Sequence, residues 1–414
     1  MAMEADAAQG GEAIGGAAIV ENRAAPRRLL HVVPSFWPAV RFGGPIESTA
    51  QLCRHLAAAG CEITVLTTDS DGPGARLALK SRGEVELAPR MKVRYCRKLA
   101  RNSVAPEMIP HLVRYARTAD VVHLTGVYNF PTFPALAICR RLRKPLVWSP
   151  RGSLQDFPGR RRAFLKALWD RLCWELAPSH TIMHATAEPE AASIRKAMPG
   201  LSVAIVPNGV TIPEAPLPHP ERARSLRALF IGRLDAKKGI ENLLEACAIL
   251  KRGNFLELTL TIAGGGEESY RRKLSDRINR LELGGVVRMI GEVQGDAKEQ
   301  AFAAADIVIV PSYVENFAIV VAEALARERP VIASRGTPWA EIERVGCGLW
   351  VDNSPPALSE ALCRISTMPL AEMGEHGRRW MSEQFGWPTI AREMLACYSK
   401  ALAAADGTDH AYGT

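Results

Sequence analysis

The sequence lacks any long apolar run. No stretch approaches the roughly 20 apolar residues that a helix needs to cross a bilayer, although 47% of the 414 residues are hydrophobic. Residues 1–25 are rich in alanine and glycine and carry several acidic side chains, without the basic start and apolar segment of a signal peptide. We therefore expect residues 1–26 to be disordered, and the protein to be cytoplasmic, either soluble or peripheral to a membrane.

The sequence also lacks the cysteine spacing of a metal site or a disulfide framework. Its nine cysteines are scattered, with no Cys-x-x-Cys pair and no histidine at ligand spacing. This pattern favours a reducing compartment without structural zinc. We also expect no Asp-x-Asp pair to hold a metal at a strand end. The formal charge of +8 is compatible with nucleic acid, a membrane surface or an anionic substrate, and it does not choose among them.

One stretch, DIVIVPSYVENFAIVVAE at residues 306–323, indicates a ligand-binding junction. Its β-branched run 307–310 is typical of a buried strand, Pro311 ends that strand, and a helix is predicted from Ala318. Such a strand, loop and helix lie at the carboxyl end of a parallel sheet, where free backbone N–H groups favour an anion. The two carboxylates of the stretch, on Glu315 and Glu323, are suited to accept hydrogen bonds from hydroxyl groups instead.

Strands alternate with helices along the whole chain, which predicts an α/β protein with parallel sheets. A strand over 29–33, a helix over 46–59 and an irregular strand within 85–95 are expected in the first half. A chain of this length exceeds one ordinary domain. We place a first domain at 27–210, a proline-rich linker at 211–226 and a second domain at 227–387.

A basic turn and two glycine loops complete the pattern. Arg233 and Lys238 flank a turn after a strand, so both cations can reach one anion, with a solvated basic turn as the alternative. Gly43 and Gly44 follow the first strand and allow backbone to approach a ligand, although a plain tight turn is the competing interpretation. Three glycines at 264–266 end another buried strand but do not complete the dinucleotide-binding fingerprint.

The string PSYVENFAIVVAEALA, with Glu315-x7-Glu323, resembles the signature of retaining glycosyltransferases of the GT-B architecture, glycosyltransferase family 4 in particular. The resemblance covers roughly residues 28–402 and implies two Rossmann-like domains facing across a cleft. Four further segments also match motifs of this family: the basic turn, the GGG loop, Gly291-Glu292-Val293 and Pro207-Asn208-Gly209-Val210. The last helix, at 388–404, is implied to return to the first domain. Strings such as GTPW at 336–339 are similar to those of bacterial surface-polysaccharide transferases.

The resemblance implies a metal-independent transfer of a hexose-type sugar from a nucleotide-diphosphate sugar to a hydroxyl of a glycan or lipid-linked glycan. Arg233 and Lys238 would neutralise the diphosphate, Glu315 would contact the sugar, and Gly43 and Gly44 would lie near a phosphate or the acceptor. The remaining donor-binding residues implied by the family are Glu323, Asn316, Phe317, Ala318, Gly264, Gly266, Gly291 and Val293. The family usually has glycine where Ala318 stands. No cofactor is implied.

Arg151 departs from the family pattern, which commonly has a histidine in its place. A guanidinium cannot exchange a proton as imidazole does, but it can brace a phosphate or acceptor. We expect Arg151 to serve the site, and a surface arginine held by a salt bridge is the competing interpretation. His123 lies in an apolar strand and is predicted to be a satisfied core residue. A sugar-nucleotide epimerase and a non-catalytic sugar-nucleotide-binding protein of the same fold are the alternative functions.

The segment RRRAFLKALWDRLCWEL, at 160–176, has the spacing of an amphipathic helix. Its basic residues are Arg160, Arg161, Arg162, Lys166 and Arg171, and its apolar stripe comprises Phe164, Leu165, Leu168, Leu172 and Leu176. Such a helix fits an anionic lipid interface. It equally fits a helix that buries the stripe against its own sheet, and the pattern leaves both open.

Overall fold

Two sheets, one in each half of the chain, organise the computed structural model, which describes residues 26–39, 44–72, 74–79, 83–155, 163–217 and 225–409. Residues 1–25, most of the segment expected to be disordered, lie outside this range. Pro26 is described and buried, and its carbonyl accepts a hydrogen bond from the Cys61 thiol at 3.3 Å.

The first sheet has eight strands in the order β3-β4-β2-β1-β5-β6-β7-β8. They are β1 Arg28–Val32, β2 Glu62–Thr68, β3 Glu84–Ala88, β4 Met91–Cys96, β5 Val121–Thr125, β6 Leu146–Ser149, β7 Ile182–Ala185 and β8 Ser202–Ile205. The helices are α1 Gly44–Ala58, α2 Met108–Thr118, α3 Thr132–Arg141, α4 Ala163–Leu176 and α5 Glu188–Ala197. All five residues of β5 are buried because helices cover both faces of the sheet.

The edge of the first sheet differs from the prediction. The segment expected as one irregular strand is the antiparallel pair β3 and β4, in which Val85 lies opposite Val93. The other strand pairs of this sheet are parallel. The two residues between β3 and β4 are enough for a hairpin, whereas a parallel connection requires a crossover of a dozen residues or more.

The second sheet has six parallel strands in the order β11-β10-β9-β12-β13-β14. They are β9 Leu226–Ile231, β10 Leu258–Ala263, β11 Val287–Gly291, β12 Ile307–Val310, β13 Val331–Ser334 and β14 Gly348–Val351. The helices are α6 Ile240–Gly253, α7 Glu268–Arg280, α8 Asp296–Ala303, α9 Ile319–Leu325, α10 Glu341–Val345, α11 Pro355–Ser366, α12 Leu370–Trp380 and α13 Trp387–Asp409. Leu226, placed in the linker by the sequence, already belongs to β9. Residues 218–224 of that linker lie outside the described range.

The last helix, α13, packs on the first sheet rather than the second. Ile390, Met394 and Cys397 are buried in a core shared with β1 and β2, and α13 contacts α1. The chain crosses between the halves twice at one place, where the Val210 N–H donates to the Phe385 carbonyl at 2.8 Å. The helix is longer than predicted, because it ends at Asp409 rather than at residue 404.

A chain of buried hydrogen bonds joins α13 to three strands of the first sheet. His184 Nε2 donates to the Val206 carbonyl at 2.8 Å, so its Nδ1 must accept the hydroxyl proton of Ser149 at 2.6 Å. Ser149 Oγ therefore accepts from His123 Nε2, and His123 Nδ1 accepts from the Tyr398 hydroxyl, both at 2.6 Å. Burial holds the pKa of His123 well below its usual value, so the ring is neutral. The prediction that His123 is a satisfied core residue is confirmed.

Candidate functional site

The loop between β12 and α9 carries the first cluster of predicted site residues. Glu315 is held here by three contacts: its carboxylate contacts the Lys238 ammonium, its Oε1 accepts from the Ser312 hydroxyl at 2.8 Å, and its N–H donates to the Gly336 carbonyl at 2.8 Å. Lys238 stands on a 3₁₀ turn after β9, the strand beside β12. Parallel pairing thus brings together a carboxylate and a cation that are 77 residues apart in the chain.

The entry to α9 is strained. Ala318 has φ 58° and ψ 63°, the left-handed conformation that costs a residue with a Cβ about 1 to 2 kcal/mol. The carbonyl of the preceding residue, Phe317, accepts a hydrogen bond from the Trp339 indole, and the two rings meet edge to face at 5.1 Å. Trp339 therefore holds the backbone beside the strained residue. Sequence reasoning did not include Trp339 among the site residues.

Glu323 lies on α9 with its side chain 19% exposed, and its Oε1 accepts from the Lys298 ammonium at 2.6 Å. Lys298 belongs to the first turn of α8, and sequence reasoning missed it because one lysine on a short helix gives no pattern. The contact orients the Glu323 carboxylate and neutralises its charge. Its other oxygen is left to accept a hydrogen bond.

Arg233 follows the end of β9 and is exposed. Within the part of the chain that the structure describes, its guanidinium has no ion pair or hydrogen bond. Lys238, by contrast, is already bound to Glu315. Of the two cations predicted to bind one anion, Lys238 is therefore ion-paired and Arg233 is not. An anionic ligand that binds Lys238 has to compete with the Glu315 carboxylate.

The predicted glycine loop at 264–266 packs against the loop after β9, and this gives a structural reason for its composition. A Cβ on Gly264 would lie 1.8 Å from the Gly232 carbonyl oxygen, and one on Gly266 would lie 2.5 Å from the Leu234 carbonyl oxygen. The Gly264 N–H donates to the Gly291 carbonyl at 2.6 Å. Gly264 and Gly266 are thus required for close contact between the loops after β9 and β10. Val293 follows Gly291 and is half-buried.

Arg151 is a half-buried residue after β6, with φ 55°. Its Nη1 donates to Asn208 Oδ1 at 2.5 Å, while its Nε is buried and has no hydrogen-bond partner in the described part of the chain. Burial lowers the pKa of Arg151, and the nearby charge of Glu190 opposes that shift. The competing interpretation of Arg151 as a salt-bridged surface arginine is therefore wrong. Its neighbours include the buried rings of His31 and His184, whose pKa values burial lowers to about 3.

The two halves touch across the cleft through predicted site residues. Asn316 Nδ2 donates to the Thr186 hydroxyl oxygen at 2.8 Å, a contact between residues 130 positions apart. A Cβ on Gly44 would lie 3.3 Å from Ile319 Cγ2, so the start of α1 faces the first turn of α9. Gly43, predicted with Gly44 as a phosphate or acceptor loop, lies outside the described residues.

Sequence reasoning overlooked an Asp-x-Asp pair, Asp69 and Asp71, directly after β2. The Asp69 carboxylate is occupied: Oδ2 accepts from Arg76 Nη2 at 2.6 Å and Oδ1 from the Lys98 N–H at 2.8 Å. No group of three or more His, Cys, Asp or Glu side chains that could hold a metal ion is found among the described residues. Likewise, no helix in that range has the length and apolar character to span a membrane.

Comparison with known proteins identifies the family. The Glycosyltransferase Family 4 profile matches residues 42–212, and the profile described as Glycosyl transferases group 1 matches residues 213–380. The chain belongs to the group 1 glycosyltransferases. It is 32% identical over 188 residues to a D-inositol 3-phosphate glycosyltransferase of Saccharomonospora viridis, an alignment covering 43% of this chain and 44% of that protein. The chain spans about half the length of the curated relatives it matches.

Solved structures show that this group 1 glycosyltransferase has the GT-B architecture. Sucrose-phosphate synthase from Thermosynechococcus elongatus matches with a TM-score of 0.71 at 21% identity, over 91% of this chain and 100% of that one. Anabaena HepE in complex with UDP and glucose matches with a TM-score of 0.68 at 18% identity, over 90% and 99% of the two chains. The predicted family and fold class are confirmed.

Proposed function

We propose that this protein is a retaining glycosyltransferase. It moves a hexose-type sugar from a nucleotide-diphosphate sugar to a hydroxyl of a glycan or lipid-linked glycan in polysaccharide biosynthesis. The observation that carries the proposal is the contact between Lys238 and Glu315 at the ends of the neighbouring strands β9 and β12. A cation is suited to bind a diphosphate and a carboxylate is suited to accept hydrogen bonds from sugar hydroxyls, so the contact supports a sugar-diphosphate donor.

The main chemical demand is charge stabilisation. When the bond between the sugar and the diphosphate breaks, negative charge grows on the leaving phosphate oxygens and positive charge grows on the sugar. Lys238 and the exposed Arg233 supply fixed positive charge for the diphosphate, and Arg151 adds a third cation on the opposite side of the cleft. The leaving phosphate accepts the proton of the acceptor hydroxyl on the same face of the sugar, which preserves the anomeric configuration. These cations supply the charge that a metal ion supplies elsewhere, so transfer is metal-independent.

Glu315 and Glu323 have different roles in this proposal. Glu315, held by Lys238 and Ser312, accepts hydrogen bonds from the transferred sugar. Glu323 lies on α9, eight residues after Glu315 in the chain, and its carboxylate, oriented by Lys298, accepts a hydrogen bond from the ribose. The loops at Gly264, Gly266, Gly291 and Val293 complete the nucleotide side. UDP and glucose bound to the structural neighbour make UDP-sugars the first donors to screen.

Release of nucleoside diphosphate distinguishes this function from the alternatives. Thermal shift with UDP-glucose, UDP-galactose and GDP-mannose identifies the donor. That donor is then incubated with hexosides, inositol phosphate and polyprenyl-diphosphate-linked sugars. Acceptor-dependent release of nucleoside diphosphate supports a transferase. Interconversion of the donor sugar without release would identify an epimerase, and binding without turnover of any kind would identify a non-catalytic binding protein.

The acceptor is proposed to reach the cleft from an anionic membrane on the cytoplasmic side. Four stripe residues of α4, namely Phe164, Leu165, Leu168 and Leu172, are exposed, from 42% for Leu172 to 80% for Phe164. The buried face of the helix is instead formed by Cys173 and Trp169. The alternative in which the whole stripe is buried against its own sheet is therefore wrong. Leu176 is the one residue of the stripe that is partly buried.

A second segment extends this surface. The loop after β4 exposes Leu99 together with Arg97 and Arg101. Its Asn102 carbonyl accepts from the Phe130 N–H at 2.9 Å, and the neighbouring Tyr128 donates to Asp170 on α4 at 3.0 Å. Both segments follow the carboxyl ends of strands, the side that faces the cleft. Exposed apolar side chains with interspersed arginine and lysine match an anionic lipid interface in both apolarity and charge. Arg160, Arg161 and Arg162 would add to the charge, but they lie outside the described residues.

Cosedimentation with phosphatidylglycerol vesicles tests this surface. Wild type is expected to bind at low salt and to be released as salt rises. The variant Leu168→Glu/Leu172→Glu should lose binding. Phe255→Glu, which changes an exposed phenylalanine of the second domain, is the matched control and should bind as wild type does. Failure to bind at low salt, or binding that is indifferent to charge reversal at 160–162, contradicts the proposal.

A further inference from the structure

A buried carboxylate at the start of α5 receives three hydrogen bonds. Glu190 is 1% exposed, and its Oε2 accepts from the Thr186 N–H and the Thr186 hydroxyl, each at 2.8 Å. Its Oε1 accepts from the Gly152 N–H at 2.5 Å. Helix capping accounts for the bond from the Thr186 N–H, since an acid in the first turn commonly accepts backbone N–H groups there. Capping does not explain the bond to Gly152, which belongs to the loop after β6.

The hydroxyl of Thr186 fixes the direction of a bond across the cleft. Its single proton is donated to the Glu190 carboxylate, so its oxygen must act as acceptor toward the other half of the molecule. The donor is Asn316 Nδ2, at 2.8 Å. Asn316 directly follows Glu315, the carboxylate proposed to bind the sugar.

Gly152 provides the surface on which Asn316 rests. With φ 76°, Gly152 has the left-handed conformation, and a Cβ there would lie 3.0 Å from Asn316 Cβ and 3.1 Å from Asn316 Cγ. Glu190 therefore positions two groups of the first domain against one side chain of the second: the Gly152 backbone by packing, and the Thr186 hydroxyl by hydrogen bonding. Gly152 directly follows Arg151, the cation on this side of the cleft.

Two polar atoms at this contact are buried, and neither has a hydrogen-bond partner among the described residues. They are Arg151 Nε and Asn316 Oδ1. Leaving a buried donor or acceptor unpaired costs free energy, so closing this contact carries a penalty. A hydroxyl group both donates and accepts, and can therefore pair with either atom. Sugar binding and closure of the cleft would then favour each other.

We infer that Thr186 and Glu190 form an interdomain latch, in which Glu190 holds Thr186 and Gly152 so that Asn316 docks on them when the cleft closes. Thr186 is thereby a positioning residue for the transfer reaction, because it places Arg151 and Glu315 on opposite sides of one bound donor. This inference rests on the proposed function for its role in sugar transfer. The contact itself does not depend on that function.

Four variants test the latch by small-angle X-ray scattering and by calorimetric titration with UDP, GDP and ADP. Thr186→Val removes the hydroxyl, Thr186→Ser retains it, and Asn316→Ala removes the partner. Thr181→Val is the matched control, since Thr181 is equally buried but donates within the first domain, to Pro178 O at 2.7 Å. Thr186→Val should increase the radius of gyration and weaken binding of the preferred nucleotide by roughly threefold to tenfold, as loss of one hydrogen bond implies. Thr186→Ser and Thr181→Val should behave as wild type.

The double variant Thr186→Val/Asn316→Ala should bind the nucleotide no more weakly than the weaker single variant, because both changes remove one contact. Additive losses, or equal losses in Thr181→Val, would overturn the latch. If Thr186→Val does not fold, Asn316→Ala and Thr186→Ser carry the same comparison. If wild type binds none of the three nucleotides, the proposed function fails. The latch is still tested in that case, by comparing the radius of gyration of wild type with that of Thr186→Val.

Discussion

The ion pair between Lys238 and Glu315 allows stability and catalysis to be separated by one set of variants. The two side chains are 21% and 15% exposed, so water screens their interaction only partly. Lys238→Met keeps the length and apolar stem of the lysine and removes its charge. Among the described residues, it leaves the Glu315 carboxylate with the Ser312 hydroxyl and without a cation in contact.

Two magnitudes follow from this geometry. Lys238→Met leaves the Glu315 carboxylate without its ion-pair partner and should lower the free energy of unfolding by about 1 to 3 kcal/mol. This is less than the roughly 3–5 kcal/mol typical of breaking a fully buried pair, because both groups retain some contact with solvent. Loss of a fixed charge facing the developing anion should lower turnover by roughly a hundredfold to a thousandfold, or about 2.7 to 4 kcal/mol of activation free energy.

The double variant distinguishes the two effects. Lys238→Met/Glu315→Gln removes both charges, so urea unfolding should show recovery of much of the stability lost in Lys238→Met. Acceptor-dependent release of nucleoside diphosphate should not recover. Lys237→Met, on the same turn, is the matched control and should retain wild-type turnover. Recovery of turnover in the double variant would refute the reasoning, because Lys238 would then act only by neutralising Glu315.

Four further predictions concern charge, pH, backbone strain and metal. Arg233→Ala should lower turnover at least tenfold without changing the urea midpoint, because the exposed guanidinium has no protein partner in the described chain; unchanged turnover would place the diphosphate elsewhere. His31 and His184, with pKa values of about 3 against an ordinary 6.5, contribute stability that is fully present above pH 6.5 and lost as the pH falls toward 3. Urea unfolding at pH 5 should show a loss of roughly 2 kcal/mol for each ring, and a midpoint equal to that at pH 7.5 would contradict their burial as neutral groups. Ala318→Gly relieves a left-handed alanine and should raise the free energy of unfolding by about 1 kcal/mol in the same assay, whereas destabilisation would show that the αL strain is not being relieved. Prior treatment with EDTA should leave transfer activity intact, and a strict requirement for added Mn²⁺ would refute the metal-independent mechanism.

Local signals predicted the elements that position the site. The run at 307–310, ended by Pro311, has the composition of a strand covered on both faces, and β12 is fully buried with α9 after it. The spacing from Glu315 to Glu323 and the basic turn before α6 lie within short segments, so the family could be recognised from the sequence. The burial of His123 was also predictable from a local signal, since a histidine flanked by apolar residues of one strand is expected to be buried.

The contacts among these elements could not be read from spacing. A stripe at helical period shows that α4 has an apolar face but not whether the sheet has room for it, and in the structure Trp169 and Cys173 already occupy that place. From the sequence, Arg151 is a charged residue of a loop. In the structure it lies beside buried histidines contributed by other strands.

The sequence by itself determined the α/β alternation and the family and nominated most of the candidate site residues, because each depends on neighbours within a few turns of chain. Only the tertiary structure decided what those residues touch. Lys238 meets Glu315 because β9 pairs with β12, and Asn316 meets Thr186 because the two domains close on each other. Contacts over 77 and 130 residues depend on how sheets and domains pack, and no local propensity encodes that packing.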